Sequence, residues 1–155
     1  MKIGIFGGSF DPIHRSHVRV IEESIRQLEL DKILVVPTAN NPWKDSSGAT
    51  KKQRLAVLEI ALERYSKVEI CDYEIKQKKK EKNYTIDTIK YLKTIYPNDQ
   101  LYFIMGMDQA SLFHKWLAAK EISELVQLVV FDRIGYQTNE NIKKYHFIKL
   151  DLVAT

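Results

Sequence analysis

A single cysteine, Cys71, stands among 155 residues. It cannot close an internal disulfide, so the fold must rest on its core, and nothing points to an oxidising compartment. Long apolar runs are missing as well. Stretches such as Ile33 to Val36 and Leu128 to Phe131 fall far short of the roughly 20 residues that span a bilayer. Met1 leads straight into Lys2-Ile3-Gly4-Ile5-Phe6, with no charged leader, apolar signal core or cleavage site before it. The expectation is a soluble, cytoplasmic protein with no membrane partner. Excess charge is scarce too. The formal net charge of +4 is matched by Lys76, Lys78, Lys79, Lys80 and Lys82 less Glu81, and the rest of the chain is balanced. One short lysine run without interleaved aromatics reads as a solvated loop, so no nucleic-acid partner is expected.

What the sequence does have is a 45% hydrophobic content over a length that suits one compact domain. Ile3 to Phe6 is an apolar run closed by Gly7-Gly8 and reads as a buried strand. Val18, Ile21, Ile25 and Leu28 recur at helical spacing and predict a helix from His17 to Leu30. A second strand, Ile33 to Val36, stops at Pro37, and residues 38–48 read as loop. Thr50 with Gln53 forms a capping box for a helix whose buried side is marked by Leu55, Leu58, Ile60 and Leu62. Further strands fall at Val68 to Cys71, Leu101 to Met105, Leu128 to Phe131 and within Tyr145 to Val153. Helices separate them, one capped by Thr85 and one covering about Glu121 to Leu125. Strands alternating with helices imply right-handed βαβ units. The fold class is therefore α/β, a Rossmann-like parallel sheet with helices on both faces.

Ligands of such sheets bind beyond the carboxyl ends of the strands, and the unusual residues fall there. Gly7-Gly8-Ser9-Phe10-Asp11-Pro12-Ile13-His14-Arg15-Ser16-His17 joins the first strand to the first helix. The glycines let backbone approach a phosphate, and the helix start behind them favours an anion. His14 and His17, three apart, can face one side of that helix start and donate hydrogen bonds to phosphate oxygens. The other readings are a turn with two surface histidines, or a metal pair, which lacks a third ligand at matching spacing.

This string resembles the G-G-[ST]-F-D-P-x-H-x-G-H element of nucleotidyltransferases with the H-x-G-H motif, with Ser16 in the place of the motif glycine. Further matches follow in family order. Asn83-Tyr84-Thr85 is similar to the S-Y-T segment of nicotinate-nucleotide adenylyltransferases, and Phe103 to Asp108 resembles their F-I-I-G-x-D strand end. Lys115-Trp116 matches a K-W pair, Asp132 to Tyr136 resembles an R-R-P-G-[FY] turn, and Pro42-Trp43-Lys44 is similar to P-P-H-K. The resemblance covers nearly all of the chain, from Lys2 to Tyr136.

The resemblance implies transfer of AMP from ATP to nicotinate mononucleotide, giving deamido-NAD and pyrophosphate, with Mg²⁺ accompanying ATP and no metal held by protein side chains. It assigns ATP to Gly7, Gly8, Ser9, Phe10, His14, His17, Gly106 and Asp108, with the two histidines catalytic. It assigns nicotinate mononucleotide to Lys44, Tyr84, Thr85, Trp116 and Arg133. Trp116 would stack on the nicotinate ring, Thr85 and nearby amides would receive its carboxylate, and Asp108 would bind the adenosine ribose. From local sequence alone Thr85 is equally an N-cap, Asp108 a helix cap, Trp116 a core aromatic, and Lys44 and Arg133 surface residues. Relatives continue with an S-S-T-x-I-R-like segment where this chain reads Asp151 to Thr155. The expectation is thus a single domain over 1–155, truncated before its triphosphate-binding segment. A homo-oligomer stays open. So do two other functions, transfer to another acceptor such as nicotinamide mononucleotide and a non-catalytic nucleotide-binding module.

Overall fold

The computed structural model describes residues 1–38, 50–76, 84–132 and 143–152. Its elements run β1 (Lys2–Gly8), α1 (Arg15–Leu28), β2 (Lys32–Pro37), α2 (Lys51–Leu62), β3 (Val68–Ile70) and α3 (Thr85–Ile95). They continue with β4 (Gln100–Gly106), α4 (Met107–Leu112), a 3₁₀ turn at Phe113–Lys115, α5 (Ala119–Leu125), β5 (Gln127–Asp132) and β6 (Phe147–Asp151). The strands form one sheet in the order β3-β2-β1-β4-β5-β6, and every pair is parallel. The expected Rossmann-like α/β sheet is what the chain forms.

Burial explains why the strands read as unbroken apolar runs. Successive side chains of a strand point to opposite faces, and here both faces are covered. Ile3, Ile5, Leu34, Val36, Phe103, Met105, Leu128 and Val130 join one core with Ile86, Ile89, Leu92, Phe113 and Ile122 of the α3 to α5 layer. The alternating residues Phe6, Ile33, Val35, Ile104, Val129 and Phe131 join the other core with Val20 and Ile21 of α1 and Leu58 and Leu62 of α2. A sheet buried on both sides needs apolar residues at every position, which removes the strand alternation.

Several boundaries differ from the sequence expectation. Helix α1 starts at Arg15, before His17, because His14 itself is the N-cap. It ends at Leu28, and Glu29 follows in the left-handed region with φ 54°. In α2 only Leu58 and Leu62 are buried, one turn apart on one stripe, whereas Ile60 is 71% exposed. Two residues along a helix is about 200° of rotation, which carries Ile60 away from the core. Pro37 is the last residue of β2 rather than a stop before it. Thr85 is the first helical residue of α3, whose N-cap is Tyr84, so the Thr85 hydroxyl does not cap this helix. Helix α5 begins at Ala119, earlier than Glu121.

Candidate active site

The order of the strands locates the site. From β1 the chain moves outward through β2 to β3, then returns to place β4 on the other side of β1. The carboxyl ends of β1 and β4 therefore flank the point where the strand order reverses, where open α/β sheets form a ligand crevice. A cavity of about 110 Å³ lies there. Ile5, Phe103 and Ile104 line it from the strands, and Gly7, Gly8, Val36 and Thr38 from the ends of β1 and β2. Thr85 and Thr88 of α3, Glu74, Gln109 and Trp116 complete it. Gly7, Gly8, Thr85 and Trp116 are thus brought together although they are far apart in the chain.

Trp116 follows the 3₁₀ turn and is held edge-on to Phe103, with ring centroids 6.0 Å apart at 86°. Its other neighbour is Phe113, at 5.2 Å. The indole is half-buried, packed on the core on one side and lining the cavity on another. The core reading and the binding reading of Trp116 are therefore compatible. Thr85 sits at the N-terminus of α3, where the helix dipole favours an anion. Tyr84, the N-cap, is 40% exposed and outside the cavity lining.

The histidine pair lies at the start of α1 and caps it reciprocally. The Ser16 N–H donates to His14 Nδ1 at 3.2 Å, and the His14 N–H donates to His17 Nδ1 at 3.1 Å. The rings lie 3.8 Å apart between centroids. Each Nδ1 accepts a backbone proton, so each neutral imidazole carries its own proton on Nε2, the donor that a phosphate oxygen requires. Capping and anion recognition use opposite nitrogens of the same rings. Ser16 supplies its N–H from ordinary backbone geometry, since the only non-glycine residues with positive φ among those described are Phe10, Glu29 and Ala118. A Cβ at this position introduces no backbone strain.

Phe10 departs from the picture of a ligand-lining side chain. The whole residue is 1% exposed, with its ring packed edge-on to Phe6 and His17, so it belongs to the core that backs the turn. Ser9 directs its carbonyl to Arg54 of α2, whose Nη1 donates at 2.8 Å. At the end of β4, Gly106 accommodates the Asp108 carboxylate: a Cβ there would stand 2.9 Å from Asp108 Oδ1 and 3.2 Å from the Phe131 ring. Asp108 is exposed in the first turn of α4 and is not the cap. The Gly106 N–H donates to Gln109 Oε1 at 3.2 Å.

Four polar residues near the site were not singled out from the sequence: Arg54 touches the glycine-rich turn, and Glu74, Thr88 and Gln109 line the cavity. Glu74 accepts a hydrogen bond from the buried Thr88 hydroxyl at 2.8 Å. Burial pushes its carboxyl pKa up, and the bond from Thr88 opposes this in part. Burial likewise raises the Cys71 thiol pKa, which disfavours the thiolate a nucleophile needs. Lys44 and Arg133 lie outside the described residues, as does most of the lysine run. Lys76 is described and pairs with Asp72 at 2.8 Å. Among the described residues no three His, Cys, Asp or Glu side chains gather into a metal-sized cluster, and no helix is long and apolar enough to cross a membrane.

A reversing parallel sheet, a glycine turn and a pair of helix-capping imidazoles at its carboxyl edge define a nucleotidyltransferase-type domain, and the chain belongs to the cytidylyltransferase-like family, whose model matches residues 5–151. Within it, the sequence falls among the nicotinate-nucleotide adenylyltransferases. It is 40% identical over 152 residues to the "probable nicotinate-nucleotide adenylyltransferase" of Aliarcobacter butzleri, covering 98% of this chain and 82% of that one. It is 38% identical to the protein of the same description from Aquifex aeolicus, covering 91% and 84%. Among solved structures it resembles the Plasmodium falciparum nicotinic acid mononucleotide adenylyltransferase complexed with NaAD, with a TM-score of 0.82 over 99% of this chain and 76% of that one. At 23% identity that likeness concerns the fold.

Proposed function

We propose that the chain transfers AMP from ATP to nicotinate mononucleotide, releasing pyrophosphate and forming deamido-NAD. The observation that carries this reading is the pair of imidazoles at the start of α1, each accepting a backbone N–H at Nδ1 and so left with Nε2 as its donor. The named relatives and the match of the whole sheet support the substrate class.

The reaction forms one bond, from a phosphate oxygen of nicotinate mononucleotide to the α-phosphorus of ATP. It breaks one, from that phosphorus to the oxygen leaving with the β-phosphate. The attacking phosphate is already an oxyanion at neutral pH, so no general base is required. Catalysis then consists of alignment and charge stabilisation. His14 and His17 donate from Nε2 to the α-phosphate oxygens, where negative charge builds. Gly7 and Gly8 allow the backbone to come close, and the N-terminus of α1 adds a favourable potential. Mg²⁺ enters as part of the MgATP substrate and neutralises the β- and γ-phosphates.

The acceptor occupies the cavity beside Trp116. Its volume of about 110 Å³ is on the scale of one aromatic ring, since a dry cavity of about 150 Å³ takes up benzene. Trp116 stacks on the nicotinate ring, and the N-terminus of α3 at Thr85 receives the ring carboxylate. Asp108, exposed at the end of β4, accepts from the adenosine ribose hydroxyls, while Lys44 and Arg133 contact phosphate. The single cysteine supports a reducing, cytoplasmic setting. The test is incubation with ATP, Mg²⁺ and nicotinate mononucleotide, with the product identified by mass. Deamido-NAD in equal amount to pyrophosphate supports the assignment. Pyrophosphate appearing with AMP and no dinucleotide would make the chain a hydrolase instead, with water attacking the α-phosphorus.

A further inference from the structure

Arg54 lies in the first turn of α2, 45 residues from the glycine turn it touches, and its Nη1 donates to the Ser9 carbonyl at 2.8 Å. Ser9 precedes Phe10, whose φ of 45° lies in the left-handed region. An aromatic residue stays there only when its surroundings over-determine the conformation. The Phe10 ring is buried and lies edge-on to His17, with centroids 5.0 Å apart at 73°. The His17 ring in turn lies 3.8 Å from that of His14, tilted by 31°.

We propose that Arg54 is a positioning residue for nucleotidyl transfer: by holding the Ser9 carbonyl it fixes the Phe10 turn, and through the Phe10 ring it sets the direction of the His17 imidazole. The inference rests on the transfer reaction proposed above. It differs from a phosphate-binding role for Arg54, because the guanidinium acts through His17 and touches no substrate. A carbonyl partner suits this role, since it accepts a hydrogen bond from the guanidinium and does not itself compensate its charge.

A double-mutant cycle separates the two roles. Arg54→Ala, Arg54→Lys, His17→Ala and Arg54→Ala/His17→Ala are compared by pyrophosphate release and by thermal melting. Arg54→Ala is expected to lower kcat about 10- to 100-fold, the scale of a misplacement near 1 Å, with KM for either substrate within about threefold. Arg54→Lys recovers part of kcat, since one ammonium proton still reaches a carbonyl. In the His17→Ala background the Arg54→Ala step shrinks below about threefold, because the group it positions is gone. An undiminished loss in that background, or a large rise in KM, overturns the inference and makes Arg54 a direct phosphate contact. If Arg54→Ala does not fold, the same cycle is run with Arg54→Lys, and the same comparison decides. A wild-type chain that releases no pyrophosphate refutes the transfer reaction itself, whereas an active wild type with an additive cycle refutes only the role of Arg54.

Discussion

His17 carries two separable duties, and substitution tells them apart. Its Nδ1 accepts the His14 N–H at 3.1 Å, one half of the capping box of α1. Its Nε2 carries the proton offered to the α-phosphate. His17→Ala removes both. Loss of the cap costs about 1 kcal/mol, which in a domain of this size lowers Tm by about 2 to 4 °C. Loss of one preorganised donor to a developing oxyanion lowers kcat by about 10²- to 10³-fold, or about 2.7 to 4 kcal/mol in the transition state. His17→Glu restores one duty only. Glutamate at the third helical position is the usual partner in a capping box, and its charge suits the helix start, so Tm returns to within about 1 °C of wild type or above it. It has no proton to donate at neutral pH, so turnover does not return. Thermal melting and pyrophosphate release at saturating substrates are measured on both variants. Turnover that follows stability, with His17→Glu as active as wild type, would reduce His17 to a cap and refute the donor role.

Trp116→Ala should raise KM for the mononucleotide by about 5- to 150-fold, since base–aromatic stacking contributes about 1 to 3 kcal/mol, and leave KM for ATP near wild type; an unchanged acceptor KM in steady-state kinetics contradicts stacking. Glu74 gives a pH signature. Its folded pKa lies above the ordinary value of about 4.5 because burial disfavours the carboxylate, so the native state holds the proton more tightly than the unfolded chain. Its contribution to stability is present in full below pH 4.5 and is lost as pH rises through the raised pKa. Denaturant titrations across that window should show wild type losing stability relative to Glu74→Gln, and parallel curves would refute the shift. Gly4→Ala tests the core under β1. The added Cβ would stand 2.7 Å from Leu30 Cδ1, 3.1 Å from Ile104 Cδ1 and 3.2 Å from Ile33 Cγ1, three residues no more than 1% exposed. The expected destabilisation is about 1 to 3 kcal/mol, and a variant that melts with wild type would show that the core yields freely.

The sheet was legible because both its faces are buried. Residues such as Ile33 to Val36 are all apolar, and each belongs to a core. That His14 and His17 face one side of the helix start was legible from their spacing, and their rings do lie together, but spacing left a surface turn and a metal pair open as readings. What failed has local causes. Ile60 was counted as buried because it is apolar, although its angle on α2 turns it to solvent. Helix α4 is only six residues long and starts at a glycine with no side chain to announce a cap, although Met107, Ala110 and Phe113 recur at a spacing of three. Thr85 is an ordinary N-cap type, yet the chain puts Tyr84 at the cap and Thr85 one step inside, against the cavity. Arg54 could not be read from sequence, because a bond from a helix to the carbonyl of a distant turn leaves no periodic trace. Glu74 meets the site through its bond with Thr88 of α3, and its neighbours in sequence do not mark it.

The most direct test of the account compares kcat/KM for nicotinate mononucleotide and nicotinamide mononucleotide, each alone with MgATP in excess, by pyrophosphate release. A helix N-terminus at Thr85 that receives a carboxylate predicts preference for the acid by tenfold or more, a difference of about 1.4 kcal/mol. Equal values, or preference for the amide, would contradict the placement of the ring carboxylate at α3 and the acceptor assignment with it.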